Sequence, residues 1–207
     1  MKTTNISTLR QNLDQLAASR NKINYKKKKK NKQLALNLVK KFHSNNIAII
    51  TLITTGLTEE CFSLQRLSLE HFFNIFALME DGNFIDKFKN NTEHNLQKVA
   101  KELKKSSVGL TQVNSQKLER LNNELNENPI ESLGYNIYDA AKRCPHDILS
   151  LYDSVYRIHS ITYAHSTIIS AAKNPTQKEI NGIIISAINF SKILNKYISS
   201  INGEADT

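Results

Sequence analysis

Tryptophan is absent from this 207-residue sequence, which also holds only three prolines, six glycines and two cysteines. Each scarcity excludes something. With chain breakers confined to Pro129, Pro145, Pro175 and a few glycines, long helices can run uninterrupted, whereas a many-stranded fold would need turn residues every few positions. Two isolated cysteines, Cys61 and Cys144, cannot build a disulfide framework or a zinc knuckle, which points to a reducing compartment. The longest apolar run, residues 47–53 with Thr51 inside it, is far too short to span a bilayer. The polar N-terminal stretch lacks the apolar segment of a signal peptide. A cytoplasmic protein with no membrane partner is therefore expected. Glycine-rich phosphate loops, dinucleotide fingerprints and nucleophile elbows are all missing, so an ATPase, a dehydrogenase or an α/β-hydrolase has no support.

What is abundant is lysine, and its distribution matters more than the net charge of +9. Residues 1–41 contain twelve of the 28 basic residues against a single acid, Asp14; the remainder, with 16 basic and 18 acidic residues, is nearly neutral. The excess is centred on Lys26, Lys27, Lys28, Lys29 and Lys30. These are the candidate nucleic-acid-binding residues, since a lysine run attracts phosphate without reading sequence. In a chain rich in Lys, Asn and Ile, the same run also reads as compositional bias that keeps the protein soluble.

The hydrophobic periodicity predicts an all-α bundle of seven or eight helices. Ile6, Leu9, Leu13 and Leu16 form one apolar stripe on a first helix. Residues 34–54 suit a buried helix, although the β-branched run 47–53 would also suit a strand. After Gly56, Thr58-Glu59-Glu60 reads as a helix start. The segment that follows, to about Glu80, is apolar around much of its circumference and is the expected central helix. The turn Asp81-Gly82-Asn83 precedes a helix ending near Lys104 and Lys105. A polar helix over residues 113–126 should stop at Asn128-Pro129. A short helix over 137–142 leads to Pro145, which opens the helix carrying Leu149 to Ala164. Asn174-Pro175-Thr176 introduces the last helix, over about 177–200. The expected domains are residues 1–33 as a basic N-terminal segment, 34–202 as the bundle and 203–207 as a disordered tail.

Two clusters could carry chemistry. Arg66 and Glu70 lie one turn apart on the central helix, where a buried charge must be paired. The stretch Leu-Tyr-Asp-Ser-Val-Tyr-Arg-Ile-His-Ser-Ile-Thr-Tyr-Ala-His-Ser over residues 151–166 concentrates titratable and hydroxyl groups in an otherwise apolar helix. On an ideal helix Arg157 and His165 stand 80° apart and can border one cleft, while His159 projects 200° from Arg157. Asp153 sits one turn before Arg157, so an ordinary ion pair beside stacked tyrosines is the structural alternative. The counterpart for Arg66 and Glu70 is an ion pair that ties helices together through Tyr156 or Ser160. The other histidines, His43, His71, His94 and His146, read as surface or packed polar groups; no metal site and no cofactor are expected.

The block Cys-Phe-Ser-Leu-Gln-Arg-Leu-Ser-Leu-Glu-His-Phe-Phe-Asn-Ile-Phe over residues 61–76, Asp86-Lys87-Phe88, and the 151–166 stretch resemble the domain-of-unknown-function family 5677 (DUF5677). The resemblance covers roughly residues 47–172. It rests on the Arg66-x-x-x-Glu70 pair and on Tyr156-Arg157-x-x-Ser160 leading to His165. That family is similar in architecture to the HEPN superfamily, whose helical bundles often dimerise and whose active members cut RNA without a metal through an arginine followed four to six residues later by histidine. Here seven residues separate Arg157 from His165, and Ile158 stands where an Asn or Asp commonly follows the arginine. The resemblance implies that His165 would assist proton transfer at the 2′-hydroxyl and Arg157 would stabilise the phosphorane, with Arg66, Glu70, Tyr156 and Ser160 around them.

Three functions follow as expectations. The first is a HEPN-like protein that binds or cleaves RNA, as an effector in stress or phage defence. The second is a noncatalytic interaction module, a homodimer or subunit of a larger assembly, with the same polar residues as a buried network. The third is a nonspecific nucleic-acid binder acting through the lysine run.

Overall fold

The computed structural model describes residues 2–105, 116, 119–120, 123, 130–164 and 174–201. Every regular element among them is helical. We label α1 (Lys2–Asn21), α2 (Lys30–Thr55), α3 (Glu60–Glu80), α4 (Phe84–Lys105), α5 (Ile137–Ala141), α6 (His146–Leu151) and α7 (Gln177–Ile201). The polar helix expected over 113–126 lies almost entirely outside the described residues, as do His165 and the expected tail 203–207.

Two compact units divide the chain: residues 1–80 with 137–207, and residues 81–136. In the first unit α3 is the centre, as its composition predicts. Phe72 joins three helices, with ring centroids 6.3 Å from Phe42 on α2, 5.1 Å from Phe76 on α3 and 5.2 Å from Phe190 on α7. The β-branched run 47–53 is helical. Ile49, Ile50 and Ile53 are buried on the face of α2 that packs along α3, because burial against a neighbouring helix outweighs the small propensity cost of β-branching. Gly56 ends α2 in the left-handed conformation at φ 86°, where a side chain would be strained.

α1 belongs to this unit. Its Leu9, Leu13 and Leu16 are fully buried, and it packs along α7, with the Ser19 hydroxyl donating to Asn195 Oδ1 at 2.7 Å. The lysine-rich stretch is a tight, anchored connection: a 3-10 turn over Tyr25–Lys27 leads directly into α2, which begins at Lys30. Ile23 is buried beneath it. Arg20 Nε donates to the Leu36 carbonyl at 2.9 Å, Gln33 Nε2 to the Lys28 carbonyl at 2.8 Å, and Asn31 Nδ2 to the Leu78 carbonyl at 2.8 Å.

In the second unit, α4 carries the segment 130–135 along its side. Asn90 donates to the Glu131 carbonyl and accepts from the Leu133 amide, both at 2.8 Å, and the Tyr135 ring lies 5.9 Å from Phe84 and 5.7 Å from Phe88.

The helix expected from Leu149 to Ala164 departs from α geometry. After α6 the chain widens into π-helix over Tyr152–Arg157 and again over Ser160–Ala164. Each π turn holds more than four residues, so each step rotates by less than the 100° of an α-helix. The ideal-wheel relation of 80° between Arg157 and His165 ends on a residue outside the described ones. Two local features accompany the widening. Ser154 and Ser160 turn their hydroxyls back onto the carbonyls four residues earlier, Ser150 and Tyr156, both at 2.8 Å, a competition that distorts helical bonding. The wider turn also brings Tyr152, Tyr156 and Ser160 closer to one line along the segment, which runs against α3.

Candidate functional site

Four of the sequence-predicted residues meet where α3 faces the π-wound segment. Arg66 and Glu70 project from successive turns of α3, with Arg66 Nη2 3.1 Å from Glu70 Oε1. Arg66 Nε donates to the Ser160 hydroxyl at 2.7 Å, and Nη2 donates to the Tyr156 phenol at 3.1 Å. The phenol in turn donates to Glu70 Oε1 at 3.0 Å. Each member thus bonds at least two others or the backbone, across about 90 residues of sequence.

Tyr156 is the hinge of this quartet. Its ring is buried, stacked at 5.2 Å on Tyr152 and edge-on to Phe73 at 6.4 Å, with the Arg66 guanidinium 5.1 Å from its centroid. Burial and the Glu70 charge push the phenol up to about 12, against the opposing pull of Arg66. At neutral pH it is a hydrogen-bond donor and not a nucleophile. Arg66 and Glu70 are each 27% exposed, so water reaches one side of the pair. Chemically, one cation, one anion and two hydroxyls bond one another at a half-buried boundary, where low local dielectric strengthens their hydrogen bonds.

Arg157 stands apart. Its guanidinium pairs with Asp153 at 3.2 Å, and the two side chains are 63% and 64% exposed. The i,i+4 ion pair is the alternative that the sequence spacing contained. His165 lies outside the described residues, so the structure places Arg66, Glu70, Tyr156 and Ser160 together and Arg157 outside their hydrogen bonds.

The lysine-rich turn forms a second candidate. Lys22, Lys26, Lys29 and Lys30 are exposed and Lys28 is half-buried, on a turn that α2 bonds at the Lys28 carbonyl through Gln33 and at the Tyr25 hydroxyl through Asn37. Among the described residues no three of His, Cys, Asp and Glu are grouped to hold a metal, and no helix is long and apolar enough to cross a membrane. Cys61 and Cys144 are buried thiols pushed up to about 11 and about 12, chiefly by burial. They are poor nucleophiles.

His159 was outside the candidate set, because on an ideal helix it points away from Arg157. In the structure its ring meets Phe62 edge-on at 5.2 Å, and burial holds it down at about 4, against the raising influence of Glu179. Its Nδ1 is buried with no hydrogen-bond partner. The sequence signal for this region is Gly182, a glycine inside a long helix.

A family model described as "Family of unknown function (DUF5677)" matches residues 32–182. No curated protein and no solved structure matches the chain.

Proposed function

Because the chain belongs to DUF5677, a family of unknown function, we propose a role from its own surface: a HEPN-like, cytoplasmic helical protein that binds RNA through the lysine-rich turn between α1 and α2. The observation that carries this reading is the anchoring of that turn. A lysine run present only for solubility needs no fixed backbone, yet here Ile23 is buried and two side chains of α2, Gln33 and Asn37, bond the turn at Lys28 and Tyr25. Fixed like charges repel one another, and a polyanion relieves that repulsion while releasing its own counterions. The contact is with phosphate, so the binding is insensitive to sequence and strongly dependent on salt.

Fluorescence anisotropy with a single-stranded RNA across a salt series tests this. Each phosphate neutralised contributes about −0.7 to the log–log slope. Changing Lys26, Lys28, Lys29 and Lys30 to glutamine should flatten the slope by roughly 2 to 3 and weaken binding at low salt. An unchanged slope would exclude the turn. Substitution is preferable to deletion of residues 21–32, which would also remove Ile23 and Asn31 from the packing.

A second reading, metal-independent RNA cleavage, is favoured by the exposed Arg157 guanidinium one residue from the quartet. In it Arg157 stabilises the phosphorane and His165 moves the proton, while Arg66, Glu70, Tyr156 and Ser160 position the wall that carries them. An RNA-cleavage assay with EDTA present, comparing the wild type with His165→Ala and Arg157→Ala at matched helical signal, tests it. Full activity in both variants, or none in the wild type, removes this reading and leaves the binding role. Dimer formation, the HEPN habit, is read from the same samples by light scattering.

A further inference from the structure

A cleft of about 240 Å³ lies between the π-wound segment and α7, lined among the described residues by Phe62, Ile158, His159, Thr162, Gly182 and Ser186 and by a few neighbours. It is separate from the lysine turn and from the quartet's hydrogen bonds. Three observations indicate that it receives a guest. His159 Nδ1 is buried in its wall without a partner, although nearly all buried polar atoms have one. Gly182 occupies the second turn of α7, where glycine is less favourable than alanine. A Cβ built there would meet nothing within 4 Å, so packing within the chain does not require glycine, and the helix backbone is open to a molecule that approaches it. The lining also combines apolar and aromatic groups, from Phe62, Val155, Ile158 and Ile183, with the hydroxyls of Thr162 and Ser186. Small-molecule sites have that composition.

The charges narrow the guest. Glu179 is the charged group of the lining among the described residues, and its Oε2 accepts from the Thr176 amide at 2.8 Å and from the Thr176 hydroxyl at 2.6 Å. An anion would meet repulsion. A cavity of about 150 Å³ takes one benzene ring, so this one has room for a fused two-ring system. We propose that the cleft binds one uncharged, purine-sized nucleobase, with its ring against Phe62 and His159, its edge on the Thr162 and Ser186 hydroxyls, and its body over Gly182. The base can come from a free nucleoside or from an RNA strand splayed open on the surface, since single-stranded bases are commonly held in this manner. The proposal stands on the cleft and needs the RNA-binding reading only for the second source.

Calorimetric titration of the full chain with adenosine, guanosine and uridine tests it, alongside binding of an oligouridine strand carrying one internal adenosine or one abasic position. Gly182→Leu fills the cleft, and Gly182→Ala begins to fill it with no clash. Expected is saturable binding of a purine nucleoside, or tighter binding of the adenosine-bearing strand than of the abasic one, weakened by about tenfold or more in Gly182→Leu and measurably in Gly182→Ala. The first result identifies a free nucleoside as the source and the second a strand. If Gly182→Leu fails to fold, Gly182→Ala and His159→Phe carry the comparison. Absence of both signals, purine binding that survives every folded variant, or uridine binding as tight as adenosine would overturn the proposal. Loss of the salt-dependent RNA affinity in the lysine variant with nucleoside binding intact would separate this site from the lysine turn.

Discussion

Arg66→Ala takes one cation from a network that sits between surface and core, and the cost follows from that position. Removing one partner of a fully buried ion pair costs about 3–5 kcal/mol, whereas exposed pairs contribute about 0–1 kcal/mol. With Arg66 and Glu70 27% exposed, the expected loss lies between, at about 1–3 kcal/mol. Glu70 loses its cation, Ser160 loses the 2.7 Å bond from Nε, and Tyr156 keeps only its bond to Glu70. For a chain of this size each kcal/mol lowers the melting temperature by about 2–4 °C, so a fall of roughly 4–8 °C is expected at the middle of the range. Urea denaturation followed by circular dichroism gives the free energy. Hydrogen exchange should show the amides of residues 152–164 losing protection before those of α3, because the π-wound segment is what the arginine holds. A double-mutant cycle with Glu70→Gln should give a coupling of about 0.5–3 kcal/mol. A loss below about 0.5 kcal/mol with additive single changes would refute the structural role of the quartet. If such a variant also lost RNA cleavage, Arg66 would belong to the chemistry instead.

Three other outcomes are expected. Gly182→Ala should raise stability by about 0.5–1 kcal/mol, through helix propensity alone, since its new Cβ meets nothing within 4 Å; a destabilised variant would mean that the glycine is needed for packing. His71 and His159 are both held at about 4, chiefly by burial. The unfolded chain therefore binds more protons between about pH 4 and 6.5, and stability should fall as pH drops through that window, by at most about 1.4 kcal/mol per pH unit for each histidine. His159→Phe should remove its share of that slope in acid denaturation, and an unaltered slope would contradict its burial. Phe72→Ala should cost about 3–5 kcal/mol, measured by urea denaturation, because the ring touches α2, α3 and α7 at once; a cost under 1 kcal/mol would remove Phe72 from the centre of the core.

Much of the helical plan is legible in the sequence because its signals are local. Asp81-Gly82-Asn83 and the terminal lysines bracket α4, and Pro175 sets the start of α7 within a residue. The spacing of Arg66 to Glu70 and of Asp153 to Arg157 gives both ion pairs. The rest depends on contacts distant in the chain. Nothing in the periodicity of residues 22–33 shows that Asn31 reaches the end of α3, so a polar low-complexity stretch reads as solvated. Nor does an ideal wheel anticipate the π turns, which shift each side chain of the 152–164 stretch relative to an α-helix. The Arg66–Glu70 pair bonds both Tyr156 and Ser160, the structural alternative expected from sequence, while Arg157, paired with Asp153, stays exposed. His159 faces away from Arg157, as its spacing implies, and its contact with Phe62 is one that only the folded chain shows.

The pairing of α1 with α7 has a consequence for how the chain acquires its structure. The Ser19 to Asn195 bond joins residues 176 positions apart, so during synthesis the Leu9, Leu13 and Leu16 stripe leaves the ribosome long before the helix that covers it has been made. Until then that stripe is an apolar surface in search of a partner, open to a chaperone or to the same stripe on another nascent chain. A circular permutant that joins α7 to α1 through a flexible linker and opens the chain elsewhere on the surface would make these two helices consecutive, and it should fold faster and aggregate less while keeping the same core.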